Sequence, residues 1–320
     1  MSFLLRRWFV LLLVAFVASG CQRAERAPLQ LATNLWPGYE PLYLAQELGY
    51  LDKDLVRLAE YTSASEVMRA YRSGRVDLAA LTLDEALLLN ESAVATIILL
   101  LDFSNGADAI LGSASVAQLS DIKGKRVGVE GSALGAFFFN EALKNARLQR
   151  EDVQLVPLGV DEHESAFLDG RVDAVVTFEP VRGHLLRKGA HVLFDSAQIP
   201  GKIVDVLVVR PSVLSSDRAA VQAVVDGWFK ALARIERDYD SSLQRMNARL
   251  QLDASDLRTA YQGIILGSAT QNRKLFGGQT PELTATATAL AQELLANGLL
   301  KKTPRFDILV NPTFFSARHE

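Results

Sequence analysis

The segment SGRVDLAALTLDE at residues 73–85 has a counterpart, DGRVDAVVTFEP, at residues 169–180. Both contain the tetrapeptide Gly-Arg-Val-Asp, and in both a mostly apolar run follows and leads to an acid, Asp84 or Glu179. Glycine readily ends a helix, and a continuous apolar run is typical of a strand buried on both faces. Each copy therefore predicts a helix, a turn and a buried strand. Two copies favour two lobes that each offer one strand-end loop to a shared cleft, although the tetrapeptide also fits a simple connector.

The remaining pattern predicts an α/β protein. We expect strands at residues 29–33, 56–60, 76–81, 97–101, 109–111, 126–129, 154–158, 172–177, 191–194 and 205–209. Helices alternate with these strands and then dominate, at about 216–239, 241–250, 254–265 and 281–297. Such alternation predicts doubly wound parallel sheets with helices on both faces.

The composition is that of a packed globular chain of one or two domains. The sequence has 320 residues, of which 49% are apolar and 22% charged, and a net charge of -3. No basic stripe is present, so we do not expect nucleic acid as a partner.

The N-terminus predicts export. Residues 1–20 contain two arginines, an apolar run over 8–17 and then small residues before Cys21, as in a signal peptide. The run is too short to span a bilayer comfortably. Residues around Cys21 resemble a bacterial lipobox, although Ala18 departs from the usual leucine. This resemblance implies a lipoprotein acylated (palmitate) at Cys21, with 21–27 as tether, on the periplasmic side or the cell surface. An ordinary signal peptide with an incidental cysteine is the alternative.

Four segments in order resemble one family. They are NLWPGYEPLYLAQELG (34–49), GKRVGVEGSALG (124–135), GRVDAVVTFEP (170–180) and IPGKIVDVLV (199–208). They resemble the nitrate/sulfonate/taurine group of ABC-transporter solute-binding proteins, which includes relatives that bind thiamine-pyrimidine precursors. The resemblance covers roughly residues 29–300.

The resemblance implies a type II periplasmic-binding-protein fold, in which two doubly wound lobes are joined by two crossovers. We place the crossovers near Gly112 and Lys202. Lobe 1 would comprise 28–112 plus 203–320, and lobe 2 would comprise 113–202. A small-molecule ligand would lie between the lobes, and an ABC permease and ATPase complex would receive it. A lipoprotein that reports ligand to a membrane receptor or signalling protein is the alternative.

Two aromatic residues are candidates for ligand contact. Trp36 and Tyr39 follow the first predicted strand in a loop, where their rings could stack on a planar or cationic ligand. Packing on the adjacent helix is the alternative.

Polar residues at predicted strand ends are further candidates. Thr82 and Asp84 follow one buried strand, Glu179 holds the matching place in the other copy, and Asp205 lies at the return crossover. Carboxyl ends of strands are where open α/β sheets bind ligands. Each acid could equally be a solvated loop residue or a helix cap.

Ser132, Ala133 and Leu134 open a predicted helix, whose free N–H groups suit an anion. In the resembling family this turn often holds a sulfonate or carboxylate. Glu130 and the acids named above crowd the predicted mouth, and no Lys or Arg clearly faces them. Unpaired buried carboxylates are costly, so we expect an amine-bearing or aromatic nitrogen ligand, which could be zwitterionic, rather than nitrate. A sulfonate- or nitrate-type anion is the alternative.

No catalytic motif stands out, and we expect neither an enzyme nor a bound cofactor or metal. Ser132 does not occupy the nucleophile position of a G-x-S-x-G elbow, and the four histidines lack metalloprotease spacing. A structural lipoprotein with an empty cleft remains a third class.

Overall fold

The computed structural model describes residues 27–315. The predicted signal peptide, Cys21 and residues 21–26 of the predicted tether lie outside that range. The strands are β1 Leu29–Asn34, β2 Val56–Tyr61, β3 Leu78–Thr82, β4 Thr96–Ser104, β5 Asp108–Gly112, β6 Arg126–Glu130, β7 Gln154–Leu158, β8 Ala174–Phe178, β9 His191–Asp195, β10 Val204–Val209 and β11 Ile264–Leu266.

Helices alternate with the strands in the first part of the chain and then dominate. They are α1 Glu40–Glu47, α2 Ala64–Arg72, α3 Leu83–Leu89, α4 Ala133–Ala146, α5 His163–Leu168, α6 Val181–Arg187, α7 Pro211–Ser216, α8 Arg218–Arg237, α9 Tyr239–Leu250, α10 Ala254–Gln262, α11 Ala269–Phe276, α12 Glu282–Ala296 and α13 Phe306–Leu309.

Two sheets form the frame of two lobes, which confirms the predicted fold class. The first sheet has the strand order β11-β4-β10-β3-β1-β2, and the second has the order β7-β6-β8-β5-β9. The chain passes from the first sheet to the second after β4 and returns after β9. The return crossover predicted near Lys202 falls between β9 and β10.

The repeated tetrapeptide does the same structural work in both lobes. Its glycine, Gly74 or Gly170, has a positive φ of 77° or 68° and follows the end of a helix. Its aspartate then accepts a hydrogen bond from a backbone N–H 47 residues earlier, Asp77 from Gln30 at 2.8 Å and Asp173 from Arg126 at 2.9 Å. The tetrapeptide therefore ends a helix at its glycine, and the hydrogen bond of its aspartate holds the next strand against the start of its parallel neighbour.

Three expectations differ from the structure. Residues 108–112 form β5 of the second sheet, so the first crossover precedes Asp108 and does not lie near Gly112. The sheets are mixed, because β10 runs antiparallel to β3 and β4 and β5 runs antiparallel to β8 and β9. The helix expected over 254–265 ends at Gln262, since β11 pairs with the edge of β4 and gives its backbone groups partners.

Candidate functional site

Three polar side chains lie side by side at one edge of the first sheet. Thr82 ends β3, Asp205 pairs with it from β10, and Asp102 of β4 pairs with Asp205 on the other side. Because β10 is antiparallel, its first residues lie beside the carboxyl ends of its neighbours. All three residues are buried. This edge therefore carries two neighbouring carboxyl groups that are removed from bulk water.

The aromatic turn after β1 is fixed on these acids. Trp36 Nε1 donates to Asp102 Oδ2 at 3.2 Å, and the Tyr39 hydroxyl donates to Asp205 Oδ1 at 2.5 Å. Gly38 lies between them, and a Cβ added there would collide with the Asp102 carboxylate and the Trp36 indole nitrogen. The glycine thus permits a close approach that any side chain would prevent.

Residues at the strand ends of the second sheet lie opposite the acids and the aromatic turn of the first sheet. Glu130 ends β6, while Phe178 ends β8 and pairs with Asp108 at the start of β5. The rings of Trp36 and Phe178 meet edge-on, with centroids 6.1 Å apart and an interplanar angle of 76°. This contact joins the two lobes across the cleft.

A cavity with about 370 Å³ of empty space, part of it open to solvent, lies between these two edges. Its walls are Asn34, Trp36, Tyr39, Ala64, Thr82, Glu85, Asp108, Glu130, Leu134, Phe178 and Asp205. Aromatic rings therefore form part of the wall, and four carboxyl groups point to a common space. None of these described lining residues is a Lys or Arg.

Burial makes ionisation of the cavity acids unfavourable. It raises the pKa of Asp108 to about 7, against the opposing effect of a hydrogen bond with Ser104. Burial also raises the pKa of Glu85 and of Asp205 well above ordinary values, and nearby carboxylates add to the effect. An empty cavity therefore favours protonated acids, and a cation bound there would favour the ionised forms.

A second cavity of about 280 Å³ adjoins the first. The two share Asp108, Glu130, Leu134 and Phe178 as lining residues. The other walls of the second cavity are Ser132, Gly135, Phe138, His163, Val176 and Thr177. Ser132 caps α4, since its hydroxyl accepts a hydrogen bond from the Gly135 N–H at 3.0 Å.

Glu179 lines a third cavity, of about 460 Å³. The Arg182 side chain in the same wall forms an ion pair with it. Arg182 donates to Glu179 Oε1 at 2.9 Å, and the Gly183 N–H donates to Oε2 at 3.0 Å. The expectation that no Arg faces the acids is therefore wrong for Glu179. Arg187 of α6 also pairs with Asp256 of α10, which ties the second lobe to the first.

The structure brings together most of the predicted site residues. Trp36, Tyr39, Thr82, Leu134 and Asp205 line the first cavity, and Leu134 and Ser132 line the second. Asp84 is buried, with its Oδ2 atom unpartnered among the described residues, but it is not a lining residue. Ala133 lines neither cavity, because it lies in the first turn of α4 beside the lining residues. Glu179 belongs to the third cavity.

Several lining residues were not predicted. Glu85 and Phe178 both lie within the repeated segments, next to residues that were chosen, so the repeat already contained the signal. Asn34 directly follows a predicted strand, and the carboxyl ends of strands are where such sites lie. Asp108 precedes a predicted strand, and it reaches the site because β5 runs antiparallel to β8. His163, one of the four histidines that lack metalloprotease spacing, is buried at the second cavity.

Over residues 27–315, no group of three or more His, Cys, Asp or Glu side chains is arranged to hold a metal ion. Within that same range, no helix has the combined length and apolar character needed to cross a membrane.

Comparison with known proteins gives a family and a fold. The model of the NMT1-like family matches residues 22–247. No protein of curated function matches the sequence closely enough to count as a relative.

Solved structures of the same fold include binding proteins and an enzyme. The alkanesulfonate-binding protein SsuA from Xanthomonas axonopodis pv. citri, bound to MOPS, is 19% identical with a TM-score of 0.73, over 90% of this chain and 99% of that one. The periplasmic nitrate-binding protein NrtA from Synechocystis PCC 6803 is 11% identical with a TM-score of 0.73, over 91% and 88%. The desulfurization enzyme DSZB is 18% identical with a TM-score of 0.65, over 90% and 97%. Identities this low establish a shared fold and assign no ligand.

Proposed function

Since this chain belongs to the NMT1-like family, we propose that it is an extracytoplasmic solute-binding protein that captures a small molecule between its lobes and delivers it to an ABC importer. The cavity at the meeting edges of two sheets supports a binding role, because residues of both lobes line it and can touch one ligand. The similarity in fold to SsuA and NrtA favours capture rather than catalysis.

The ligand we propose is a cationic amine or a protonated aromatic nitrogen compound. The observation that carries this proposal is the set of four carboxyl groups, Glu85, Asp108, Glu130 and Asp205, in a cavity whose described walls include no Lys or Arg. A bound cation would offset the cost of burying these charges. The faces of Trp36 and Phe178 add a surface that attracts cations.

We also propose that the mature chain begins at Cys21 and is anchored to the membrane by lipid there. The support is the sequence alone, since Cys21 precedes the described residues. Mass spectrometry of the protein purified from membranes tests this directly. A diacylated N-terminal cysteine is expected, and an unmodified cysteine would contradict the anchor.

Calorimetry tests the ligand class. We expect benzylamine and benzyltrimethylammonium to bind, and nitrate and methanesulfonate not to bind. Replacing Glu85 by Gln should weaken binding of either cation by about tenfold, because the attraction between one cavity carboxylate and the positive charge is lost.

Asp84→Asn is the matched control, because Asp84 is the adjacent buried acid and does not line the cavity. Binding of the anions in place of the cations would reject the cationic ligand. Equal losses in both variants would show that burial of charge, and not contact with the ligand, controls affinity.

A further inference from the structure

The second cavity lies beyond the aromatic wall of the first. Phe178 meets the Trp36 ring edge-on. It also meets the His163 ring edge-on, with centroids 6.5 Å apart. Phe178 is therefore a wall shared by the chamber of Trp36 and the chamber of His163.

His163 lines this chamber, and one of its ring nitrogens has no described partner. The residue is 1% exposed, and its Nε2 is buried with no hydrogen-bond partner among the described residues. The other ring nitrogen, Nδ1, lies 3.2 Å from Thr177 Oγ1, which fixes the orientation of the ring. Buried polar atoms in proteins are nearly always hydrogen-bonded, so an orphaned atom beside a cavity indicates a missing partner.

We propose that His163 Nε2 binds an uncharged hydroxyl or amide group at the far end of the ligand, so that the ligand carries a cationic nitrogen at one end and a neutral polar group at the other. This inference rests on the proposed cationic ligand and specifies its second end.

The neutrality of the second group follows from the surroundings of the chamber. Burial lowers the pKa of His163 to about 4, so its ring is uncharged at neutral pH. A hydroxyl can donate or accept, and therefore suits either tautomer of the ring. The first turn of α4 would favour an anion, but Asp108 and Glu130 line this chamber as well and oppose one.

Calorimetry with three para-substituted benzylamines tests the inference. The wild-type protein should bind para-hydroxybenzylamine roughly threefold to tenfold more tightly than para-methylbenzylamine, which is the worth of one hydrogen bond to a buried partner. The anionic substituent of para-carboxybenzylamine should weaken binding. In His163→Phe the ratio of the affinities for the hydroxyl and methyl compounds should fall to about one, whatever the change in either affinity alone.

A matched control is His191→Phe, because His191 Nε2 also has no described partner but lies on β9, outside the cavity walls. That variant should keep the preference for hydroxyl. Nitrogen NMR of the His163 ring gives a second readout, since Nε2 should shift when the hydroxyl compound binds.

Equal binding of the hydroxyl and methyl compounds to the wild-type protein would overturn the role of His163 and leave the cationic ligand standing. Tighter binding of the carboxylate would overturn the neutral group. Failure of all three amines to bind would overturn the proposed function and this inference together.

Discussion

Replacing Asp102 by Asn should remove one contribution to the pH dependence of the stability of this protein. Asp102 is fully buried on β4 and accepts a hydrogen bond from Trp36. Burial, opposed by that hydrogen bond, raises its pKa from 3.8 to about 7. The folded chain thus keeps a proton on Asp102 over a pH range in which the unfolded chain has released it.

The size of the effect follows from the pKa. Between pH 5 and pH 7 the unfolded chain has Asp102 ionised while the folded chain holds the proton, so stability falls as pH rises. Two pH units at about 1.36 kcal/mol each give a loss of about 2.7 kcal/mol in the wild-type protein. The amide of the Asp102→Asn variant has no proton to release, so the difference in unfolding free energy, variant minus wild type, should increase by about that amount from pH 5 to pH 8.

Urea denaturation at pH 5 and at pH 8, followed by circular dichroism, measures this difference in unfolding free energy. Comparing the same pair of proteins at both values cancels any pH-independent cost of the substitution, such as a weaker hydrogen bond to Trp36. The exposed carboxylate variant Asp54→Asn is the control and should show a difference that stays nearly constant. A constant difference for Asp102→Asn as well would refute the argument that burial of this carboxyl opposes its ionisation.

Three other results are expected. Gly38→Ala should lower the unfolding free energy by about 1–3 kcal/mol in urea denaturation because its Cβ would strike the Asp102 carboxylate, whereas Gly131→Ala, with open space around it, should cost much less. Arg187→Gln should give a larger radius of gyration in X-ray scattering, because the ion pair of Arg187 with Asp256 stabilises the contact between the lobes by about 1 kcal/mol. Arg258→Gln, which removes an ion pair with Asp240 within one lobe, should leave the radius of gyration unchanged. Affinity for benzyltrimethylammonium should rise by up to about tenfold per pH unit as the pH approaches 7, because the cavity residue Asp108, whose pKa is about 7, ionises. An affinity that does not change with pH in calorimetry would contradict this.

The repeated segment allowed much of the site to be located from the sequence. Because Gly74 and Gly170 each stop a helix and start a buried strand, the ends of β3 and β8 could be placed, and with them Thr82 and the neighbourhood of Phe178. These are local consequences of backbone conformation and apolar pattern, which a single sequence contains.

Asp102 shows what a sequence does not contain. It sits within a long apolar run, where local pattern predicts only a buried strand. Its surroundings depend on its cross-strand neighbour Asp205, about a hundred residues later in the chain, and on the turn that brings Trp36 to it. Register between strands so distant is set by tertiary packing, so the pair could not be inferred. The ion pair of Glu179 with Arg182 spans only three residues, and its spacing was visible in the sequence.

The position of β10 constrains the order in which a newly made chain can acquire its structure. This strand lies in the interior of the first sheet, between β3 and β4, yet it leaves the ribosome only after the whole second sheet has emerged. Until then β3 and β4 have exposed edges with unpaired backbone groups, which are prone to wrong pairing. The second lobe has all its strands earlier, so we expect it to fold first, while the N-terminal strands await their missing partner.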